Sequence, residues 1–392
     1  MAGRFGAIRG APILLTTVIL LCGTPAARGQ AMDPPGAGKP SKLRSAEDGW
    51  LDVSGFLDTK YGFLPIVVPI TEPAVGYGAA GGVAFLNQPM GRSRAGYSRP
   101  DVTVVAGLGT ANGTWGAAVG DWRHWRDGRL QTLVGAMYTS ANLDFYGIGD
   151  DPVLAGRSLR YNLEPKGGTL QAKHRLGPSS FWAGLSYAFA TTQVSFDAPA
   201  ATPGLPDYRK ETDVGGLTPS LTFDTRDNIF TPLRGAYVEG TVGLFSKAFG
   251  GDDEFQRVRI IGMQLFPLHR RVGLGFRLDA AACFGDAPFY LLPYISLRGA
   301  PALRYQGEEV AQIETEIRWQ FWRRFSAVGF VGTGWAWNGF EQLDSKQTIV
   351  TGGTGFRYEI ARRYGIHMGL DVAFGPDNPA IYVQVGSAWA RP

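Results

Sequence analysis

Residues 311–321 alternate without interruption between two kinds of side chain, and this pattern constrains the fold more than any other feature of the chain. One face carries Ala311, Ile313, Thr315, Ile317, Trp319 and Phe321, and the other carries Gln312, Glu314, Glu316, Arg318 and Gln320. A period of two is that of a β-strand. Three charges on the polar face are not compatible with a dry core unless they have partners. The strand therefore needs apolar surroundings on one side and polar surroundings on the other.

The same alternation recurs along the chain, and we find no segment of useful length with a helical period. Clear examples are residues 217–226, 271–281, 364–374 and 381–389. The strands run to about 10–14 residues, longer than the usual ~5–6 of soluble sheets and long enough for the ~9–11 of a tilted membrane strand. Glycine accounts for 55 of the 392 residues and aromatic residues for 12%. This composition favours an all-β protein over a helical bundle.

The connections between strands alternate between short and long, which favours a membrane barrel over a soluble sandwich. Short connections include 126–128, 267–269, 322–324 and 375–378, and longer ones include 88–99, 143–157, 197–211, 285–308 and 338–347. Transmembrane barrels show this asymmetry, with lipid outside and a polar lumen inside, and they must close. We count fifteen strands from about Val75, and residues 63–70, with two prolines, give an edge strand. The sequence predicts an antiparallel transmembrane β-barrel of sixteen strands, with fourteen as the alternative.

The N-terminal region reads as an export signal followed by a linker. Arg4 and Arg9 precede an apolar run at 11–22, and Gly29-Gln30-Ala31 fits a cleavage site. We therefore predict a signal peptide at 1–31, a flexible periplasmic linker at 32–55 and a barrel at 56–392. Cys283 is the one cysteine after residue 31, so no internal disulfide is expected.

No motif for catalysis or metal binding stands out in the sequence. The four histidines are scattered, and neither an H-E-x-x-H helix, a cysteine cluster nor a G-x-S-x-G elbow occurs. We expect no metal, no cofactor and no enzymatic activity, although a lumenal catalytic pair from separate strands stays open. The tryptophans at 115, 122, 125, 335 and 337 suggest an interface girdle, with ligand stacking as the alternative. The net charge of +4 suggests contact with anionic lipid headgroups and not with nucleic acid.

Three stretches resemble the BamA/TamA-type outer-membrane assembly barrels, the bacterial surface antigen family. Leu297-Arg298-Gly299 resembles the arginine–glycine motif of that family's sixth extracellular loop. Asp224-Thr225-Arg226-Asp227-Asn228, followed by Pro232 and Gly235, resembles its turn upstream of the loop. Leu143–Gly149 resembles its "FYGIG" stretch. The resemblance covers about residues 60–392, and the order of the three stretches makes it more specific than any one alone.

The resemblance implies that the long loop folds into the lumen and is held there by its arginine. In the family this arginine pairs with acidic residues on the next two strands, and Glu316 occupies the first of those positions. We therefore predict a loop anchor formed by Arg298, Gly299 and Glu316, whereas the alternative is a solvated loop arginine. The supporting lumen and turn residues are Asp224, Arg226, Asp227, Asn228, Pro232, Gly235 and Arg304.

This sequence departs from the family pattern in three places. Ala300 stands where the family has an aromatic residue, and Gly332 stands near the second acidic position. Either the anchoring is weaker, or Asp279, Glu314 or Asp371 substitutes for the missing acid. The family's periplasmic POTRA domains have no room before the first strand, so we expect no partners that dock through them.

The last strand resembles an assembly signal. Ile381, Val383, Val385 and Trp389 alternate toward an aromatic end, and a plain closing strand is the alternative.

These features predict a Gram-negative outer-membrane protein that takes part in insertion, assembly or translocation of proteins or lipids. Its expected partners are outer-membrane lipids and client outer-membrane or secreted proteins. Pro65, Pro69 and Gly386 would weaken the pairing of the first and last strands, through which a client could enter. The alternative is a passive pore or surface-exposed antigen, with the loop as a constriction.

Overall fold

The computed structural model describes residues 43–45, 47–59, 62–87, 92–93, 96–97, 101–147, 158–196, 208–228, 230–339 and 347–389. The predicted signal peptide and the first part of the predicted linker lie outside these residues. None of the described helices is both long enough and apolar enough to span a membrane.

Sixteen antiparallel strands form one sheet in which each strand pairs with its neighbours in chain order. The strands are β1 Gly62–Ile70, β2 Gly78–Leu86, β3 Val102–Thr110, β4 Trp115–Trp125, β5 Leu130–Phe145, β6 Leu159–Arg175, β7 Phe181–Phe196, β8 Tyr208–Asp224, β9 Gly235–Phe245, β10 Phe255–His269, β11 Val272–Gly285, β12 Glu309–Trp322, β13 Phe325–Trp337, β14 Gln347–Ala361, β15 Ile366–Phe374 and β16 Ala380–Val385. Arg92–Ser93 and Gly96–Tyr97 form a separate two-stranded hairpin. The predicted all-β barrel and its sixteen strands are confirmed.

The alternation of side chains sorts the sheet into an apolar outer face and a polar inner face. On β12 the outward Ile317 is 46% exposed, whereas the inward Glu314 is 2% exposed. Large apolar side chains are exposed along the outer face of most strands, including Val105, Val134 and Leu170. An outer surface of this kind fits hydrocarbon.

The antiparallel order places alternate connections at opposite ends of the barrel. The turns at 126–129, 270–271 and 323–324 lie at one end, here called the short-turn end. The loop at 286–308, here called the inward loop, lies at the other end. The connection that contains 88–99 also falls at the short-turn end, and the connection at 375–379 falls at the end of the inward loop, so the predicted grouping is wrong for both.

The first and last strands meet at a seam that lacks strand pairing. Among the described residues, the ladder of backbone hydrogen bonds runs from β1 to β16 and does not join those two strands. One contact across the seam is a hydrogen bond from the Val383 amide to Thr71 Oγ1, 3.4 Å long. Pro65 and Pro69 lie in β1, and an edge strand tolerates proline because one of its sides needs no donors.

The described residues before β1, at 43–45 and 47–59 and here called the N-terminal segment, pack against the short-turn end. The segment contains one short helix, α1 (Ser54–Thr59). The Val53 amide donates to the Ile360 carbonyl at 2.8 Å, and Trp50 stacks edge-on against Trp322 with 5.2 Å between ring centroids. The described part of the linker is therefore held by the barrel.

Candidate functional site in the barrel lumen

The inward loop folds back into the barrel and packs against the opposite wall. Phe289, in a short 3-10 helix at Phe289–Leu291, lies 4.4 Å from Phe145 and 6.0 Å from Tyr161 between ring centroids. These residues belong to a buried apolar cluster that also includes Leu163 and Val194. Aromatic and aliphatic side chains on this part of the inner face thus bury the loop instead of exposing it to water.

Arg298 lies at the tip of the inward loop and contacts three carboxylates. Its Nε donates to Glu314 Oε1 at 2.8 Å, its Nη2 lies 2.7 Å from Glu316 Oε2, and its Nη1 donates to Asp371 Oδ2 at 3.0 Å. The guanidinium also lies 3.6 Å from the centroid of the Phe330 ring. Arg298 is 7% exposed, so its charge is compensated inside the lumen and not by bulk water.

Gly299 occupies a backbone position that other residues do not readily adopt. Its φ is +95°, and a Cβ built on it would lie 2.9 Å from the Phe374 carbonyl oxygen. Its amide donates to the Tyr382 hydroxyl on β16 at 3.1 Å. The glycine therefore lets the loop tip approach both β15 and β16 closely.

The second acidic partner of Arg298 comes from β15 and not from the strand where the resemblance placed it. Gly332 on β13 faces Leu297. A Cβ added at position 332 would lie 3.0 Å from Leu297 Cδ2. Asp371 is fully buried and also binds Arg357 through both oxygens, at 2.5 and 2.9 Å. Asp371 and Glu314 thus take the place of the missing acid, whereas Asp279 binds other arginines.

Arg304 and Ala300 complete the contacts of the loop. Arg304 pairs with Asp377 at 2.8 Å, in the connection between β15 and β16, and lies 4.1 Å from the Tyr146 ring centroid. The predicted motif at 143–149 is thus brought to the loop through Tyr146, while residues 148–149 lie outside the described residues. Ala300 is buried with Ile295 in an apolar cluster.

The predicted turn motif lies at the short-turn end, away from Arg298. Arg226 forms a two-point ion pair with Asp224, at 2.9 and 2.8 Å. Asp227 Oδ1 accepts the Leu233 amide at 2.9 Å, and Asn228 Nδ2 donates to the Tyr364 carbonyl at 2.8 Å. These bonds fix the turn and tie it to the β14–β15 connection.

Gly235 and Pro232 complete this turn motif. Gly235 has φ +100° and adjoins the Thr225 carbonyl, so a side chain there would be strained. Pro232 lines a small cavity beside Trp389 and Gly386. The turn motif therefore borders the end of the last strand.

Trp389 lies in the lumen, which differs from its predicted place on the outer face of the last strand. β16 ends at Val385, and Gly386 turns the chain inward at φ +80°. The Ser387 amide then donates to the Phe230 carbonyl at 2.6 Å. Ile381 is 46% exposed on the outer face, so the alternation holds within β16 and fails after it.

The indole of Trp389 is 4% exposed and fills a lumenal socket. Tyr237, Ile261 and Met263 pack around it, and Gly275 leaves room for the ring, since an added Cβ would lie 2.6 Å from Trp389 Cζ3. Its Nε1 donates to Glu314 Oε2 at 2.6 Å. The residues after Gly386, here called the C-terminal segment, therefore reach the same carboxylate as Arg298.

The sequence itself matches one protein family over more than half of its length. The match is to the Omp85 superfamily domain and spans residues 157–377. The chain belongs to the Omp85 superfamily. This confirms the resemblance on which the loop anchor was predicted, and it identifies the protein as an Omp85-type outer-membrane barrel.

Solved Omp85-type structures share this fold at low sequence identity. BamA from Haemophilus ducreyi lacking POTRA domains 1–3 is 13% identical with a TM-score of 0.55, covering 83% of this chain and 69% of that one. CdiB from Escherichia coli is 14% identical with a TM-score of 0.56, covering 82% of this chain and 61% of that one. CdiB from Acinetobacter baumannii is 10% identical with a TM-score of 0.51, covering 82% and 59%. This chain thus spans about three fifths of the two CdiB chains, and no curated protein matches its sequence.

Two features of this Omp85 barrel were not predicted from the sequence. Arg324 is 1% exposed and binds Asp48 and Asp52 of the N-terminal segment at 2.7 and 2.9 Å. The three aspartates at 48, 52 and 58 in a Pro/Gly-rich region were a signal for basic partners. Trp122 faces the lumen beside an apolar cluster around Val104, whereas Trp115 and Trp125 are exposed on the outer face. Within the described residues, no group of three or more His, Cys, Asp or Glu side chains could hold a metal.

Proposed function

We propose that this Omp85 barrel helps to insert, assemble or translocate client proteins or lipids at the outer membrane, by opening the seam between β1 and β16. The observation that carries the proposal is the absence of a strand ladder between these two strands among the described residues. An unpaired strand edge offers backbone donors and acceptors to another chain.

The short last strand supports the same function. β16 has six residues, whereas β15 and β1 have nine each. The C-terminal segment leaves the wall at Gly386. The part of β1 that lies nearest the short-turn end therefore has no strand beside it on the seam side. Opening the seam there would break few backbone hydrogen bonds, and the free energy required is correspondingly small.

The filled lumen speaks against a passive pore. The inward loop packs across the barrel at Phe289, and the C-terminal segment fills a socket at Trp389. A solute would have to displace both. Omp85 barrels are transport or assembly proteins, which also favours activity on clients over a passive surface role.

The first test is a quantitative inventory of outer-membrane proteins and lipids in a strain that lacks this protein and in its parent. We expect a specific set of components to be lost and then restored by the wild-type protein, but not by Arg298→Ala. An unchanged inventory would rule out the assembly function, and planar-bilayer conductance that rises in Arg298→Ala would support the pore.

The second test locks the seam. Thr71→Cys with Val383→Cys, in a Cys283→Ser background, places two thiols at the seam contact. The control is Val372→Cys with Ile381→Cys, which joins partners that already face each other across β15 and β16. We expect the oxidised seam pair to abolish complementation until reductant is added, whereas the control pair complements in both states. Equal complementation by both oxidised pairs would contradict opening at the seam.

A further inference from the structure

A cavity of about 280 Å³ lies in the lumen between the inward loop and the wall formed by β10, β11 and β12. The wall contributes Arg257, Arg259 and Arg277, and the loop contributes Tyr294 and Ser296. The space is large enough for several water molecules or for one small polyatomic ion. Nothing in the loop anchor or in the seam requires this space.

Small neighbours open a recess around the arginines of β10. Arg257 and Arg259 lie two residues apart on one strand, so their side chains share the inner face. Arg257 is paired in register with Gly243 on β9 and Cys283 on β11, and Arg259 is paired with Ala281. None of these three neighbours can neutralise a guanidinium or fill the space in front of it.

The wall has more positive than negative charge. Asp279 binds Arg259 at 2.7 Å and Arg277 at 2.6 Å, and Arg277 also lies 3.7 Å from Glu314, so two carboxylates of this wall face three guanidinium groups. Within the described residues, no carboxylate lies in salt-bridge distance of Arg257. Because a half-buried arginine stays protonated at neutral pH, this charge needs an anion from elsewhere.

The two other carboxylates around the cavity already have donors. Glu72 accepts the Ala302 amide at 3.0 Å. Glu314 accepts the Arg298 guanidinium and the Trp389 indole. Neither is positioned as the partner of Arg257, so the positive charge of β10 faces the open part of the cavity.

We propose that this cavity binds a phosphate-type oxyanion, with Arg257 as its main ligand and Arg259 as the second. A guanidinium offers several donors in a fixed plane, which suits the oxygens of a phosphate group. Glu72, just after β1, and Tyr382, on β16, also line the cavity. The cavity therefore borders the seam, and the phosphate can belong to a free ion or to a lipid headgroup. This binding does not depend on the proposed assembly function.

The test measures binding of radiolabelled inorganic phosphate to the purified barrel in a zwitterionic detergent, by equilibrium dialysis at fixed ionic strength. Fixed ionic strength is needed because added salt screens such charges. We expect saturable binding at one site per chain, at least ten-fold weaker in Arg257→Gln. Arg209→Gln, an exposed arginine of β8 outside the cavity, is the matched control and should bind as the wild type does.

A second variant separates the cavity from a general effect of charge. Ala281→Leu keeps every arginine but fills the recess beside Arg259, so it should also weaken binding at least ten-fold. Absence of saturable binding in the wild type, or equal binding by the wild type and Arg257→Gln, would overturn the proposal.

Competition identifies the source of the phosphate. Short-chain phosphatidic acid carries a phosphate monoester, and short-chain phosphatidylcholine is the control because its own choline neutralises the phosphate. Displacement of inorganic phosphate by phosphatidic acid alone would assign the site to a lipid headgroup. Failure of both lipids to compete would assign it to free phosphate.

Discussion

Arg298 and Trp389 donate to opposite oxygens of the same carboxylate, that of Glu314. Arg298 Nε binds Oε1 at 2.8 Å, and Trp389 Nε1 binds Oε2 at 2.6 Å. The tip of the inward loop and the C-terminal segment, which follows the seam strand β16, therefore share one buried acceptor. A change at either residue therefore removes a donor from the carboxylate that the other residue binds.

Replacing Arg298 by alanine should strongly destabilise the barrel. The substitution leaves Glu314, Glu316 and Asp371 without their shared cation, and breaking a buried ion pair on one side costs about 3–5 kcal/mol. We expect Arg298→Ala to lose its folded gel mobility at a lower temperature than the wild type in a heat-shift gel. The control Arg323→Ala removes an exposed turn arginine. Equal melting of Arg298→Ala and the wild type would show that the loop needs no anchor.

Replacing Trp389 should separate the hydrogen bond from the packing of the ring. Trp389→Phe keeps an aromatic ring in the socket but removes the donor to Glu314, at a cost of about 1.5–3 kcal/mol for a bond to a charged group. Trp389→Ala also empties the socket, for a total of about 3–5 kcal/mol. Urea unfolding of the detergent-solubilised barrel measures both.

The matched control for the indole is Trp125→Phe. Trp125 Nε1 donates to Thr132 Oγ1 at 2.9 Å, but the residue is 49% exposed. We expect this variant to unfold at the same urea concentration as the wild type. If Trp389→Phe also matches the wild type, then the bond to Glu314 does not stabilise the fold.

The sequence alone predicted the strands and the inward face of Glu316 because both follow from a period of two. A membrane strand repeats this period over many residues, and the same alternation occurs in strand after strand. The pattern can therefore be recognised from the sequence. The turn inward at Gly386 could not be predicted in this way. Trp389 continues the alternation of β16 in the sequence, and only the contacts with Phe230 and Glu314 show that the chain has left the wall.

The partners of Arg298 were predicted in kind but not in full. The resemblance predicted Glu316 as a partner of Arg298. Which acid replaces the one missing at Gly332 depends on the register of the strands, and the sequence does not give that register. Asp371 lies two strands beyond Gly332 and reaches Arg298 across the lumen. Contacts of this kind join residues far apart in the sequence, and no local pattern specifies them.

Replacing Gly299 by alanine should displace the loop tip. A left-handed backbone conformation costs a residue other than glycine about 1–2 kcal/mol, and the added Cβ would also press on the Phe374 carbonyl oxygen. We expect Gly299→Ala to melt earlier in a heat-shift gel than Gly339→Ala. Gly339 has φ +75° with nothing within 4 Å of an added Cβ, so it reports the backbone strain alone. Equal melting of the two variants would show that the contact with Phe374 is unimportant.

The N-terminal segment should detach from the short-turn end in acid. The hydrogen bond from Arg324 lowers the pKa of Asp48 below its ordinary value of 3.8, against the opposing effect of burial. A carboxyl whose pKa is lower in the folded state contributes stability that is complete above its unfolded pKa and is lost as the pH falls through the folded pKa. The segment should therefore stay docked at neutral pH and loosen below about pH 3.8.

Trp50 reports this release because its ring packs against Trp322 and Phe325. The fluorescence of Trp50 should change as the pH falls below the ordinary aspartate pKa of 3.8. A protease should then cleave the N-terminal segment. Asp48→Asn should weaken docking at neutral pH by about 1–3 kcal/mol, since it removes a bond between charged groups, and should flatten the acid step. Asp127→Asn, in an exposed turn, should keep the step unchanged. An identical acid step in Asp48→Asn would assign it to another group.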